Sequence, residues 1–447
     1  MGRFLPASLR TPMTRNGLAL MLSVVLTSGL GVVFWAVAAR LYGPEQLGLG
    51  SALISSMLAL SSIAQLNLDN VINRFLPEAG SRSAHFVLSA YGVCLVLAVI
   101  GGAAFIAVIG TVAPALRPVL AAPWAMAWFV LSVALWSIFA LQDIVLASLQ
   151  KSLWVPVENA VYAIGKVVLL PVCAGLSLSG FSLFAVWTLP LPFLVASINA
   201  LVFGRFLCKR PQGQASPRPQ EFHAAVRMMG WDYAGRLASM VTIGVIPIVI
   251  VAVAGGAESA KYHLAWTMAY SIFLIGNAMA RSMLAAASAE PERLPELAAE
   301  ALVWTMIPVL AAAAILLFGS HLVMAIFGSA YTGNGSTTLK VLAIDSVLSS
   351  PLALYLSVAR ARNHFGMIAV VEIATLVLVL VMVLTLLPAA GIAGVGLAWL
   401  IAHLAIWSVI LVHSLRPSRR DSTIKFLNCV RASIRIPRTF RRAVSGE

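Results

Sequence analysis

The chain has 447 residues, 60% of them apolar and only 10% charged, with a mean hydropathy of +0.94. An ordinary soluble domain is about 25% charged, and no water-soluble fold of this size hides so much apolar side chain behind so little polar surface. A soluble enzyme, a disordered chain and a nucleic-acid reader are excluded, because the net charge of +14 is scattered between apolar runs, as orientation in a bilayer is encoded.

In chain order, 1–16 is a cytoplasmic N-terminal tail with Arg3, Arg10 and Arg15. Twelve apolar runs follow, each near the roughly 20 residues that cross a hydrocarbon core. Six fill 17–204: 17–41, 48–72, 84–110, 123–150, 155–176 and 181–204. The first is too long for a signal h-region and reads as a permanent helix. Span two carries Ser55, Ser62, Gln65, Asp69 and Asn73 in steps that keep one helical face, closed by Arg74. Span four carries Asp143. Span five sets Asn159, Tyr162 and Lys166 at i, i+3 and i+7, with Glu158 beside them.

Residues 205–229, containing RPQGQASPRPQ, have the composition of a cytoplasmic linker. Six more runs fill 230–415: 230–254, 259–284, 300–327, 337–360, 365–387 and 391–415. Span seven carries Asp232, Arg236 and Ser239. Span eight carries a polar line of His263, Thr267, Tyr270, Asn277 and Arg281. Asp345 and Glu372 are single acids in spans ten and eleven, and His403 lies in span twelve. The tail 416–447 holds nine cations among apolar residues. It reads either as a basic helix on anionic lipid or as a disordered tail whose charge fixes topology.

With both termini in the cytoplasm, 24 of the 30 cations fall inside and four outside, leaving Lys166 and Arg236 within spans. The expected location is a bacterial inner membrane, crossed many times. A shift of about 213 places Gly256-Ala257-Glu258 on Gly43-Pro44-Glu45, and one residue more places Glu372 on Glu158 and Gly394 on Gly180. The expected fold is therefore all-α and integral to the membrane, with about twelve transmembrane helices in two six-helix lobes related by a parallel repeat, a transporter architecture. The four cysteines form no CxxC pair and no metal spacing. No cofactor and no metal are expected, and no enzymatic centre.

An ionisable group at the bilayer centre costs about 2.5–3.5 kcal/mol on insertion scales, so it persists facing a cavity or a partner. Most such groups here lie toward the cytoplasmic ends of their spans. A wet cleft open to the cytoplasm would explain this, with Lys166, Arg236, Arg281 and Arg74 suited to a phosphate and Asn159, Tyr162, Tyr270 and Asn277 beside them. Asp69, Glu158, Glu372, Asp232 and Asp143 would tune or couple the cycle. The plainer reading pairs Asp232 with Arg236 at i, i+4 and lets boundary residues snorkel to water.

The stretch Ala39-Arg40-Leu41-Tyr42-Gly43-Pro44-Glu45-Gln46-Leu47-Gly48 resembles the first external turn of bacterial polysaccharide flippases of the multidrug/oligosaccharidyl-lipid/polysaccharide exporter superfamily. Arg74-Phe75-Leu76-Pro77-Glu78 and Phe327-Gly328-Ser329-Ala330-Tyr331 are similar to the same family. The resemblance implies a MATE-like fold that flips a lipid-linked oligosaccharide, usually on a polyprenyl diphosphate. It also implies coupling to H+ or Na+ or to the membrane potential. Partners would then be that substrate, membrane lipids and other polysaccharide assembly proteins. An ion-coupled multidrug exporter is the alternative, although span one lacks the acid such exporters often carry. An integral-membrane polymerase is disfavoured by the short external loops.

Overall fold

The computed structural model describes residues 29, 31–151, 153–175, 180–207 and 219–414, without the side chains of 78 and 219–229. The two tails and the first half of span one lie outside the described residues. Every expected span is otherwise present as helix. They are α1 (Gly31–Leu41), α2 (Pro44–Ala64), α3 (Leu68–Phe75), α4 (Ser83–Val112), α5 (Pro123–Ser148), α6 (Trp154–Ala174), α7 (Phe181–Thr188), α8 (Pro190–Leu201), α9 (Pro219–Ala254), α10 (Gly256–Ala289), α11 (Leu294–Phe327), α12 (Asn334–Ala361) and α13 (Phe365–Ser414). Helix α9 starts inside the expected linker, so that connection is shorter than its composition suggests.

Fifty residues in α13 would reach about 75 Å at 1.5 Å per residue, more than twice the roughly 30 Å hydrocarbon core. The chain instead reverses at Gly391, whose φ of 59° and ψ of −152° leave the helical region. A Cβ on Gly394 would lie 2.4 Å from the Leu386 carbonyl oxygen, so the two halves adjoin. Spans eleven and twelve thus meet where the sequence places them.

Two spans depart from continuous helix. Span six is interrupted at Leu189, whose backbone stays helical at φ −56° and ψ −34°, because Pro190 and Pro192 just after it have no N–H to give the hydrogen-bond ladder. Span two breaks at Leu66 and Asn67, both left-handed with φ of 44° and 61°. The single polar face expected along that span therefore ends at the break, and α3 carries Asp69 on a new heading.

The apolar core is distributed unevenly. One cluster takes in the N-lobe and continues into α9, α10, α11 and α13 near the loops that hold Tyr42, Gly255 and Tyr331. At the opposite, cation-rich end the C-lobe has two apolar clusters of its own. The two lobes share one apolar core at the cation-poor end, while toward the other end the C-lobe packs on apolar clusters of its own.

Candidate functional site

At the cation-poor end the seam is closed by backbone proximity. A Cβ on Gly48 of α2 would lie 1.7 Å from the Gly256 carbonyl oxygen. Glu45 accepts hydrogen bonds from the N–H groups of Gly256 (3.1 Å) and Ala257 (2.8 Å), so its carboxylate caps the first turn of α10. Arg40 donates to the Ile326 carbonyl at 3.0 Å, and Tyr331 donates to that of Ala39 at 3.4 Å. Burial pushes the Tyr331 phenol up to about 12, so it remains a donor throughout the physiological range. Deeper in the seam, Trp35 of α1 meets the His263 ring edge-on at 4.3 Å between centroids.

Toward the cation-rich end the seam is polar. Arg236 of α9 forms an ion pair with Asp69 of α3 and donates to Asn67 at 3.1 Å, while Tyr233 donates to the Ile63 carbonyl at 2.7 Å. The left-handed break at Asn67 presents both acceptors to α9. The pair is partly open to solvent (38% and 18% exposed), so each single replacement, Asp69→Asn or Arg236→Gln, is expected to cost no more than about 1 kcal/mol. Exchanging the two charges should restore most of that loss, as thermal unfolding in detergent would measure.

The structure separates the thirteen side chains singled out from the sequence. Five belong to the N-lobe interior. Lys166 sits over three rings, 3.5 Å from the Trp187 centroid, 4.3 Å from that of Tyr162 and 5.1 Å from that of Phe34. Tyr162 donates to the Trp187 carbonyl. Glu158 accepts from Gln142, whose oxygen in turn accepts from Asn199 at 2.7 Å. Asn159 donates to Asp143 at 3.3 Å. Arg74 lies apart, with its guanidinium 5.7 Å from the Phe75 ring.

The i, i+4 pair of Asp232 with Arg236 does not form. Arg236 turns to Asp69, and Asp232 receives a double hydrogen bond from Arg360 of α12 at 3.0 and 3.1 Å. The single cleft that gathers all the cations is therefore replaced by separate places: the N-lobe cage, the seam and the C-lobe. Each helix faces its own lobe as well as the seam, and cross-helix partners lie closer than a shared centre.

The C-lobe encloses a polar cavity of about 350 Å³ between α9, α10, α12 and both halves of α13. Arg281, Asn277, Tyr270 and Glu372 line it, as does Arg360. Its far end holds Trp266 and Trp399, stacked at 4.9 Å, and a buried pair in which His403 Nδ1 lies 2.6 Å from Asp345. Ser239 lines the cavity together with Glu372. Sequence reasoning treated Asp345 and His403 as unrelated. They are 58 residues apart on different spans, and no periodicity within one helix reveals such a pair. Among the described residues no group of three or more His, Cys, Asp or Glu is placed to hold a metal.

A family profile described as "Polysaccharide biosynthesis protein" matches residues 13–288, more than half of the chain. The chain belongs to this polysaccharide biosynthesis family. No curated protein matches it. Among solved structures, the fold is similar to a multidrug resistance MATE family transporter of the MOP superfamily in its inward-facing conformation, with a TM-score of 0.62, 16% identity, and coverage of 89% of this chain and 98% of that one. The outward-facing conformation of such a transporter scores 0.59 at 14% identity, covering 94% and 98%. A MOP superfamily transporter from Pyrococcus furiosus, described as having a binding pocket of reversed polarity, scores 0.52 at 16% identity, covering 90% and 96%. The chain is thus a multi-pass membrane transporter of the polysaccharide biosynthesis family with a MATE-like fold.

Proposed function

We propose that this transporter flips a glycan carried on a polyprenyl diphosphate from the cytoplasmic to the outer leaflet of a bacterial inner membrane by alternating access. The observation that carries this reading is Arg281, a guanidinium on the wall of a polar C-lobe cavity that makes no ion pair among the described residues. The distribution of cations supports a cytoplasmic cation-rich end, and with it cytoplasmic termini. The seam is then closed by backbone contact on the outside and by the Arg236–Asp69 pair and the Tyr233 hydrogen bond on the inside, and the inner contacts are the ones that open to admit an anionic headgroup from within. Arg74 stands at that same inner end. Lys166 and Arg236 are held in the cage and the seam until the lobes move, with Tyr162 positioning Lys166, Asn159 holding Asp143, and Tyr270 and Asn277 flanking Arg281. Asp69, Asp143, Glu158, Asp232 and Glu372 tune these cations, and H+ or Na+ supplies the driving force. Membrane lipids and other polysaccharide assembly proteins are its partners.

A small-cation exporter is the competing reading, and two guanidiniums in the cavity wall oppose it. In a host lacking its own flippase, Arg281→Ala is expected to reduce surface polysaccharide about tenfold or more, the loss of one charge-assisted phosphate contact. Arg281→Lys should fall in between. Full export by the alanine variant, or resistance to cationic drugs without glycan export, would overturn the proposal.

A further inference from the structure

We infer that the C-lobe cavity is a subsite for one phosphorylated sugar ring, with the phosphate on Arg281 at the cation-rich mouth and the ring reaching inward past Asn277. The inference rests on the flippase reading and deepens it.

Size is the first argument. A volume of about 350 Å³ lies at the lower end of the roughly 300–1,000 Å³ of small-molecule sites. It holds one ring, not an oligosaccharide. The rest of a glycan chain would have to remain outside, in the seam.

Charge is sorted by depth. Arg281 and Arg360 stand toward the inner ends of α10 and α12, and Asn277 is four residues back along α10 from Arg281, about 6 Å at 1.5 Å per residue and within reach of one sugar phosphate. Arg360 is committed to Asp232. Arg281 makes no hydrogen bond or ion pair among the described residues, so its fork is free for phosphate oxygens.

The deeper walls are rich in acceptors. The hydroxyl groups of Thr242, Ser346 and Thr375 each donate to a carbonyl of their own helix, at 2.7, 2.7 and 2.8 Å. Their own lone pairs remain to accept. A sugar ring is a cluster of hydroxyl donors, and a wall of acceptors suits it. A bare cation suits the cavity less well, because Arg281 and Arg360 stand in its wall and Asp345 is already engaged by His403.

The test is site-directed labelling of the full chain in lipid nanodiscs. Ala353, which lines the cavity, is replaced by Cys, with Cys208→Ser and Cys429→Ser; Cys94 and Cys173 are buried. Glucose 1-phosphate at millimolar concentration is expected to slow thiol modification at least fivefold. Glucose or inorganic phosphate alone should slow it less than twofold. Arg281→Ala should abolish the protection, and Arg281→Lys should retain part of it. Equal protection by phosphate alone would reduce the cavity to an anion site and overturn the inference. Protection by sodium ion alone would do the same in favour of a cation site. No protection in a protein that still flips lipid-linked glycan would sink the subsite and leave the flippase reading standing. Protection in a protein that flips none would retain the pocket and sink the flippase reading.

Discussion

Gly48→Ala is expected to force the outer seam apart and abolish glycan export while the protein still inserts and folds. The added methyl would sit 1.7 Å from a backbone oxygen of Gly256, an atom that no rotamer change can move. Overpacking of this kind costs about 1–3 kcal/mol, and here it falls only on the state in which α2 and α10 touch. A penalty confined to one conformation shifts the equilibrium by about tenfold to a hundredfold toward the other. An impermeant thiol reagent applied from outside should therefore modify Ala257→Cys at least tenfold more completely in the Gly48→Ala background. Glu45→Ala should act in the same direction and more weakly, since it removes two hydrogen bonds to the α10 N-terminus without adding volume. Unchanged labelling together with unchanged export would show that this contact is not broken during the cycle.

Asp232→Ala is expected to be the most damaging single change in the C-lobe. It leaves the Arg360 guanidinium without the carboxylate that receives both of its hydrogen bonds, in a cavity that already holds Arg281. Removing one partner of a buried ion pair costs about 3–5 kcal/mol. Arg360 keeps about a third of its surface in contact with solvent, so a loss of about 2–3 kcal/mol is expected, read as a shortened half-life of folded protein in detergent. Adding Arg360→Leu should recover most of that stability without recovering transport. If the double variant is no more stable than Asp232→Ala, the pair is not what holds α9 to α12.

The seam also explains why two glycine-bearing turns that the sequence relates by an internal shift behave differently. Glu45 reaches across to the other lobe, whereas Glu258, its counterpart, pairs with Lys261 on its own helix at 2.6 Å. A repeat in sequence has thus become asymmetric in contact. Only one of the two acids can occupy the α10 N-terminus when the turns meet.

Several polar stripes were legible from spacing alone. Tyr270, Asn277 and Arg281 do share a face of α10, and that face does line a cavity. What periodicity could not supply was the surface opposite. Asp232 and Arg236 are helical neighbours by spacing, yet each is bound by a different element from a different direction. The break at Leu66 and Asn67 carried no proline or glycine to announce it. Its left-handed turn costs backbone energy that a contact from α9, some 170 residues away, helps to offset.

The apolar runs alone determined that the chain lives in a membrane, that it crosses many times and roughly where its apolar helices fall, because transfer of a contiguous stretch into hydrocarbon is a local property of that stretch. Only the folded arrangement decided which cations are already neutralised, that the lobes meet through backbone at one end and through polar side chains at the other, and that a pocket lies inside the second lobe. Those outcomes depend on distances of a few ångströms between helices far apart in the chain, and no property of a single helix encodes them.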